Sequence, residues 1–121
     1  MAVATGDKTW TAPSRMQDFK EKSVSAYVIA NYNITNPEAY KAYPRVVGPT
    51  ILNHGGQILV ADYNSEKSEA GGADVTIVLR FPSKDKAKEW YNSDEYQEIV
   101  ALRTENSEGF MNFVDEFKMP G

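Results

Sequence analysis

The chain alternates apolar and polar positions in four stretches, and between them apolar residues recur every three or four positions. From about Ser25 to Ile34, Val28, Ala30, Tyr32 and Ile34 fall on one face of an extended chain, and Tyr27, Ile29, Asn31 and Asn33 on the other. From Asp74 to Phe81, Val75, Ile77, Leu79 and Phe81 share one face; Thr76, Val78 and Arg80 share the other. Gln57 to Tyr63 and Phe110 to Phe117 predict two more strands. In the former the phase is open: Ile58, Val60 and Asp62, or Leu59, Ala61 and Tyr63, face the same way.

Helical signals separate these strands. Asn36 caps a helix with Pro37 at its first position and Glu38 suited to the helix dipole. Tyr40 and Tyr43 lie on one side of it. Pro44 and Pro49 cannot both sit inside one regular helix, so the segment is expected bent or in two pieces, ending at His54-Gly55-Gly56 with a left-handed glycine cap. The polar stretch Asn64–Ala73 reads as a loop joining two antiparallel strands. After Pro82, Ser83 caps a helix carrying Ala87, Trp90 and Tyr91. Asn92-Ser93 breaks it, and Tyr96, Ile99, Val100 and Arg103 continue at helical spacing until Glu108-Gly109. The order is βαββαβ. Two right-handed crossovers in that order give an α+β, ferredoxin-like domain: a four-stranded antiparallel sheet with its helices on one face.

One layer of helices leaves the other sheet face bare. That face would carry Tyr27, Ile29 and Asn31, Thr76, Val78 and Arg80, and Phe110, Asn112 and Val114. A solvated face would be charged and rich in Thr. This one is half apolar, which predicts a partner surface or groove. The simplest cover is the same face of a second copy. Residues 1–23 show no periodicity. They read either as a tail or as an arm, with a short helix capped by Ser14, whose Trp10, Met16 and Phe19 dock on the domain or on a partner.

Composition narrows the function classes. The formal net charge of −4 and the lack of a basic patch argue against a nucleic-acid groove. With no cysteine and one histidine, thiolate chemistry is excluded and a zinc site is disfavoured. No apolar run suits a membrane span and no secretory signal is visible, so a cytoplasmic protein is expected.

The stretches TyrValIleAlaAsnTyrAsnIleThrAsnProGluAlaTyr, GlyProThrIleLeuAsnHisGlyGlyGlnIleLeuVal, LeuArgPheProSer and TrpTyrAsnSerAspGluTyrGlnGluIleValAlaLeuArg resemble the DUF1330 family of small dimeric α+β-barrel proteins. The resemblance covers about Ala26 to Val114, within a domain spanning 24–121. It implies a ferredoxin-like protomer, a homodimer whose two sheets form a barrel, and a cavity either between sheet and helices or within that barrel. Similar barrels include cofactor-free monooxygenases, polyketide cyclases, muconolactone-type isomerases and haem-handling proteins. The family often carries a basic residue near the end of the second strand and an acidic one before Phe-Pro-Ser. Here Asp62 and Arg80 stand there, which predicts an Asp62–Arg80 pair with the signs exchanged.

Two functional readings stand. In the first, the dimer takes up a small apolar or aromatic, oxygenated compound, either as a binding protein or as a cofactor-independent cyclase, isomerase or monooxygenase. His54 or Tyr27 would serve as acid or base. Arg80, flanked by Asn31 and Asn112, would stabilise an enolate oxygen. Tyr40, Tyr43 and Asp62 would complete the ligand site. In the second, the homodimer is not catalytic, the sheet face is only an interface, and its polar groups satisfy one another. His54 also reads simply as a helix-end residue, Tyr40 and Tyr43 as core, and Arg80 as the structural partner of Asp62 or Glu116.

Overall fold

The structure is a computed structural model that describes residues 24–120. The expected arm with Trp10, Met16 and Phe19 lies outside the described residues. Four strands, β1 (Ala26–Ile34), β2 (Gln57–Asp62), β3 (Val75–Phe81) and β4 (Ser107–Asp115), form one sheet in the order β2-β3-β1-β4. Every neighbouring pair is antiparallel. The described residues form five helical segments: α1 (Pro37–Tyr40), α2 (Tyr43–Asn53), α3 (Lys84–Asn92), α4 (Asp94–Gln97) and α5 (Val100–Thr104). The α+β, ferredoxin-like arrangement expected from the element order is the one formed.

Local chemistry sets the helix ends. The Asn36 side chain accepts from the Ala39 backbone N–H, and Pro37 opens α1. The Pro-bearing segment divides as expected into α1 and α2, with Pro44 in the first turn of α2, where its missing N–H is harmless, and Pro49 inside it. At the far end Gly55 takes φ 81°. The Gly56 N–H then reaches the Ile51 carbonyl and the Gly55 N–H that of Leu52, which closes the helix in the left-handed cap. Ser83 caps α3 through Lys86 N–H, and Ser93 caps α4 through Tyr96 N–H.

The core lies between helices and sheet. Val28, Ala30 and Tyr32 of β1, with Val75, Leu79 and Phe81 of β3, are buried against Tyr40, Tyr43, Ile51, Ala87, Trp90 and Tyr96. The opposite face pairs Tyr27 with Arg80 and Val114, Ile29 with Val78 and Asn112, and Asn31 with Thr76 and Phe110. It is open, and Phe110 is 48% exposed.

Two details differ from the sequence reading. Gly109 does not end the helical region; it lies inside β4, which starts at Ser107. It stands opposite Tyr32, where the two backbones approach so closely that an added Cβ would overlap the Asn31 carbonyl oxygen and Tyr32 Cα. In β2 neither phase holds throughout. The register slips between Ile58 and Val60, so Ile58 pairs with Leu79 while Val60 pairs with Val78. The bulge at Leu59 turns Ile58, Ala61 and Tyr63 toward the helices and leaves Gln57, Val60 and Asp62 on the open face.

The Gly109 approach predicts that Gly109→Ala destabilises the protein by about 1–3 kcal/mol in urea unfolding, as overpacking does. An unchanged midpoint would show that the β1–β4 spacing is not fixed there.

Candidate functional site

An apolar chamber of about 270 Å³ lies between the helices and the sheet, under α2. Ala30, Ile77 and Leu79 form its floor; Val47, Gly48 and Ile51 of α2 form its roof. It exists because cover runs out at β2. All six residues of this edge strand are exposed, and α2 is the helix that reaches toward it. Gly48 adds no side chain to the roof, and a Cβ there would meet nothing within 4 Å. Ile58, Ala61 and Tyr63, turned inward by the bulge, line the chamber on this side.

Polar atoms enter the wall from an aromatic cluster. The hydroxyls of Tyr43 and Tyr96 lie 2.7 Å apart, and so do those of Tyr32 and Tyr40. Tyr63, at the exposed side, reaches Tyr40 at 3.4 Å. Trp90 donates its indole N–H to Thr50 Oγ1 at 2.9 Å, and the Thr50 hydroxyl in turn donates to the Val47 carbonyl at 2.7 Å. Burial pushes the Tyr32 phenol up to about 12. Burial likewise raises Tyr40 and Tyr43 well above the ordinary phenol range, and their hydroxyl partners add to it. These phenols stay neutral and act as hydrogen-bonding groups.

Arg103, in the last turn of α5, completes the wall. It is only 7% exposed. Its Nε–H points to the Tyr96 hydroxyl at 3.4 Å, a terminal nitrogen lies 4.0 Å from Met111 Sδ, and the guanidinium stands 6.0 Å from the centre of the Tyr32 ring. Among the described residues no carboxylate pairs with it. Burial opposes its charge, but the Tyr96 and Tyr43 oxygens outweigh that and hold its proton more tightly than usual.

The model of the domain of unknown function DUF1330 matches residues 25–117. The chain belongs to the DUF1330 family. Among curated proteins none matches it. Several solved structures share the fold. A protein of unknown function from Rhodopseudomonas palustris aligns at 16% identity and TM-score 0.65, over 89% of this chain and 97% of its own. SnoaB, a cofactor-independent oxygenase from Streptomyces nogalater, aligns at 7% identity and TM-score 0.56, over 80% and 97%. A candidate antibiotic biosynthesis monooxygenase from Caulobacter crescentus aligns at 15% identity and TM-score 0.54, over 79% and 92%. At such identities they establish the shared architecture.

Of the residues singled out in the sequence, this DUF1330 domain brings only Tyr43 to the chamber wall. Tyr40 stands behind Tyr32 and orients it. Tyr27, Arg80 and Asn112 lie on the open face. Asp62 and Arg80 do not pair: β2 runs antiparallel to β3, so Asp62 stands opposite Thr76 and Gln57 opposite Arg80. Asp62 instead accepts from the Asn64 N–H, and Arg80 donates to Ser25 Oγ at 3.1 Å. Nor does Asn31 flank Arg80. It lies opposite Thr76, four residues along β3 and so about 14 Å away, and its amide is occupied by Ala73, Val75 and Thr76. His54 sits outside the chamber. Its Nδ1 donates to the Thr50 carbonyl at 2.8 Å, with Glu95 at 3.8 Å, an arrangement that ties the end of α2 to the start of α4. Arg103, Tyr32 and Tyr96 were not picked out as site residues. The available signal was a cation at an apolar position of the Tyr96, Ile99, Val100, Arg103 stripe.

The raised phenols set a pH dependence. An unfolded tyrosine titrates near 10, and the folded ones above it, Tyr32 at about 12. Their stabilisation is therefore complete below about pH 10 and is lost as pH climbs through the folded values. Tyr43→Phe should lower stability at pH 7 by about 1 kcal/mol and should lose less further Tm between pH 9 and 11 than the parent. Parallel Tm-versus-pH curves would contradict this.

Proposed function

We propose that this protein binds one small, flat, largely apolar molecule in the chamber between its helices and its sheet. The observation that carries the reading is the chamber itself: an apolar space of about 270 Å³ between an aliphatic floor and roof, with the rings of Tyr32, Tyr43, Tyr63 and Trp90 in its wall. Space of that kind beside a few fixed polar groups is the usual form of a ligand site. SnoaB shares the fold and is a cofactor-independent oxygenase. We carry over no reaction from it. Among the described residues no carboxylate and no imidazole lines the chamber, and the buried phenols of Tyr32 and Tyr43 hold their protons. The residues here bind and orient, and His54 and Tyr27, the acid–base candidates, are not among those that line the chamber.

The open sheet face supports a second element of the reading, a pair of chains joined face to face. Leu59, Val60 and Phe110 are exposed large apolar residues on or beside that face, next to half-buried Tyr27, Ile29, Val78 and Val114. An apolar area of this extent is covered most simply by its own copy.

Two experiments test these elements. In calorimetry, 2-naphthalenemethanol should bind the parent, and Gly48→Leu, which fills the chamber from the roof, should weaken it about tenfold or more without lowering Tm, since leucine favours helix over glycine. Equal affinity for both proteins would remove the chamber as the site. In sedimentation, Ile29→Asp should convert a dimer to a monomer; a dimer that persists would contradict the face-to-face pairing.

A further inference from the structure

Arg103 has the form of an unfinished ion pair. A guanidinium offers five N–H donors in a planar fork. Here one reaches a tyrosine hydroxyl at 3.4 Å and one a thioether at 4.0 Å. Neither acceptor carries charge. The chain has 17 acidic residues, yet among the described ones none forms an ion pair with Arg103. A cation near the end of a helix ordinarily turns outward to solvent or to the last carbonyls. Arg103 turns inward and is 7% exposed. A buried, unpaired charge is costly, and a methionine or leucine would fill the same space without that cost. Among the described residues that anion is missing, and the position makes physical sense if a ligand supplies it.

We infer that Arg103 is the anchor for an anionic oxygen on the chamber's ligand, so the ligand class is a flat aromatic or polycyclic acid: a carboxylate, or a phenol or enol acidic enough to bind as its anion. This deepens the chamber reading and rests on it. The apolar floor and roof exclude a bare inorganic anion, whose remaining oxygens would face Ile77, Leu79 and Ile51 without partners. The guanidinium is held in place by the Tyr96 hydroxyl and the Tyr32 ring face, so its fork is ordered before the ligand enters. Tyr43, fixed to Tyr96, lies in the same wall. The Tyr32 and Tyr43 phenols retain their protons at neutral pH, and among the described residues no carboxylate lines the wall.

The test compares 2-naphthoate with 2-naphthalenemethanol, the same ring system with and without charge, by calorimetry at pH 7.5. The parent should bind the carboxylate roughly tenfold or more tightly than the alcohol. Arg103→Met should abolish that preference, bringing carboxylate and alcohol to within about threefold of each other. Arg103→Lys should keep part of the preference, since it retains charge but not the fork. Inorganic phosphate should not compete. The anchor is overturned if the parent binds both probes equally, if the Met variant keeps the preference, or if phosphate competes. The comparison within the parent decides even if the Met variant does not fold. Alcohol binding without a carboxylate preference removes the anchor and leaves the chamber standing. If neither probe binds, the chamber reading falls and the anchor with it.

Discussion

The hydroxyl-to-hydroxyl bonds among buried tyrosines are the constraint on which the rest of this structure depends. A buried phenol must find a partner, and here the phenols find each other: Tyr43 with Tyr96, Tyr32 with Tyr40. Each bond crosses between elements. The first ties the start of α2 to α4, and the second ties β1 to α1. Trp90 adds a third tie through Thr50 in the middle of α2. Two of them tie α2 to α3 and α4, and the other ties α1, just before α2, to the sheet. An all-aliphatic core would let the helix settle onto β2 and close the gap. The paired phenols hold it off, and the chamber is the space that remains.

The two faces of the sheet thus have separate work. The face under the helices carries the chamber, and its polar atoms come from aromatic side chains and one arginine. The open face carries Tyr27 directly opposite Arg80, with Asn112 opposite Ile29, the next residue along β1 on that face. The bulge at Leu59 makes the division possible on β2, because it lets one short strand send Ile58, Ala61 and Tyr63 to the chamber and Val60 and Asp62 to the other side.

Much of this was legible in the sequence because it depends on local chemistry. The strand faces of β1 and β3, the caps at Asn36, Ser83 and Ser93, the break before Ser93 and the glycine turn at Gly55 are each set by a few neighbouring residues. The family resemblance also pointed to a cavity between sheet and helices as one of two places. What could not be read was register. A bulge changes which residues face inward without any distinctive residue, so β2 had two phases and adopted neither throughout. Gly109 looks like a helix terminator, yet it is demanded by the approach of the β1 backbone, a contact 77 residues away along the chain. The Asp62–Arg80 pair failed for the same reason, since antiparallel pairing puts the two at opposite ends of β3. Arg103 was hidden differently. Its sequence context is that of any cation in a last helical turn, and its burial appears only when β1, α4 and β4 close around it.

The most direct measurement is crystallographic. Crystals soaked in 6-bromo-2-naphthoate, with anomalous data collected at the bromine edge, locate the bound molecule by its heavy atom. The account predicts a bromine peak in the chamber, with the carboxylate directed at the Arg103 guanidinium. A peak on the open sheet face, or a molecule in the chamber with its carboxylate turned away from Arg103, would contradict it.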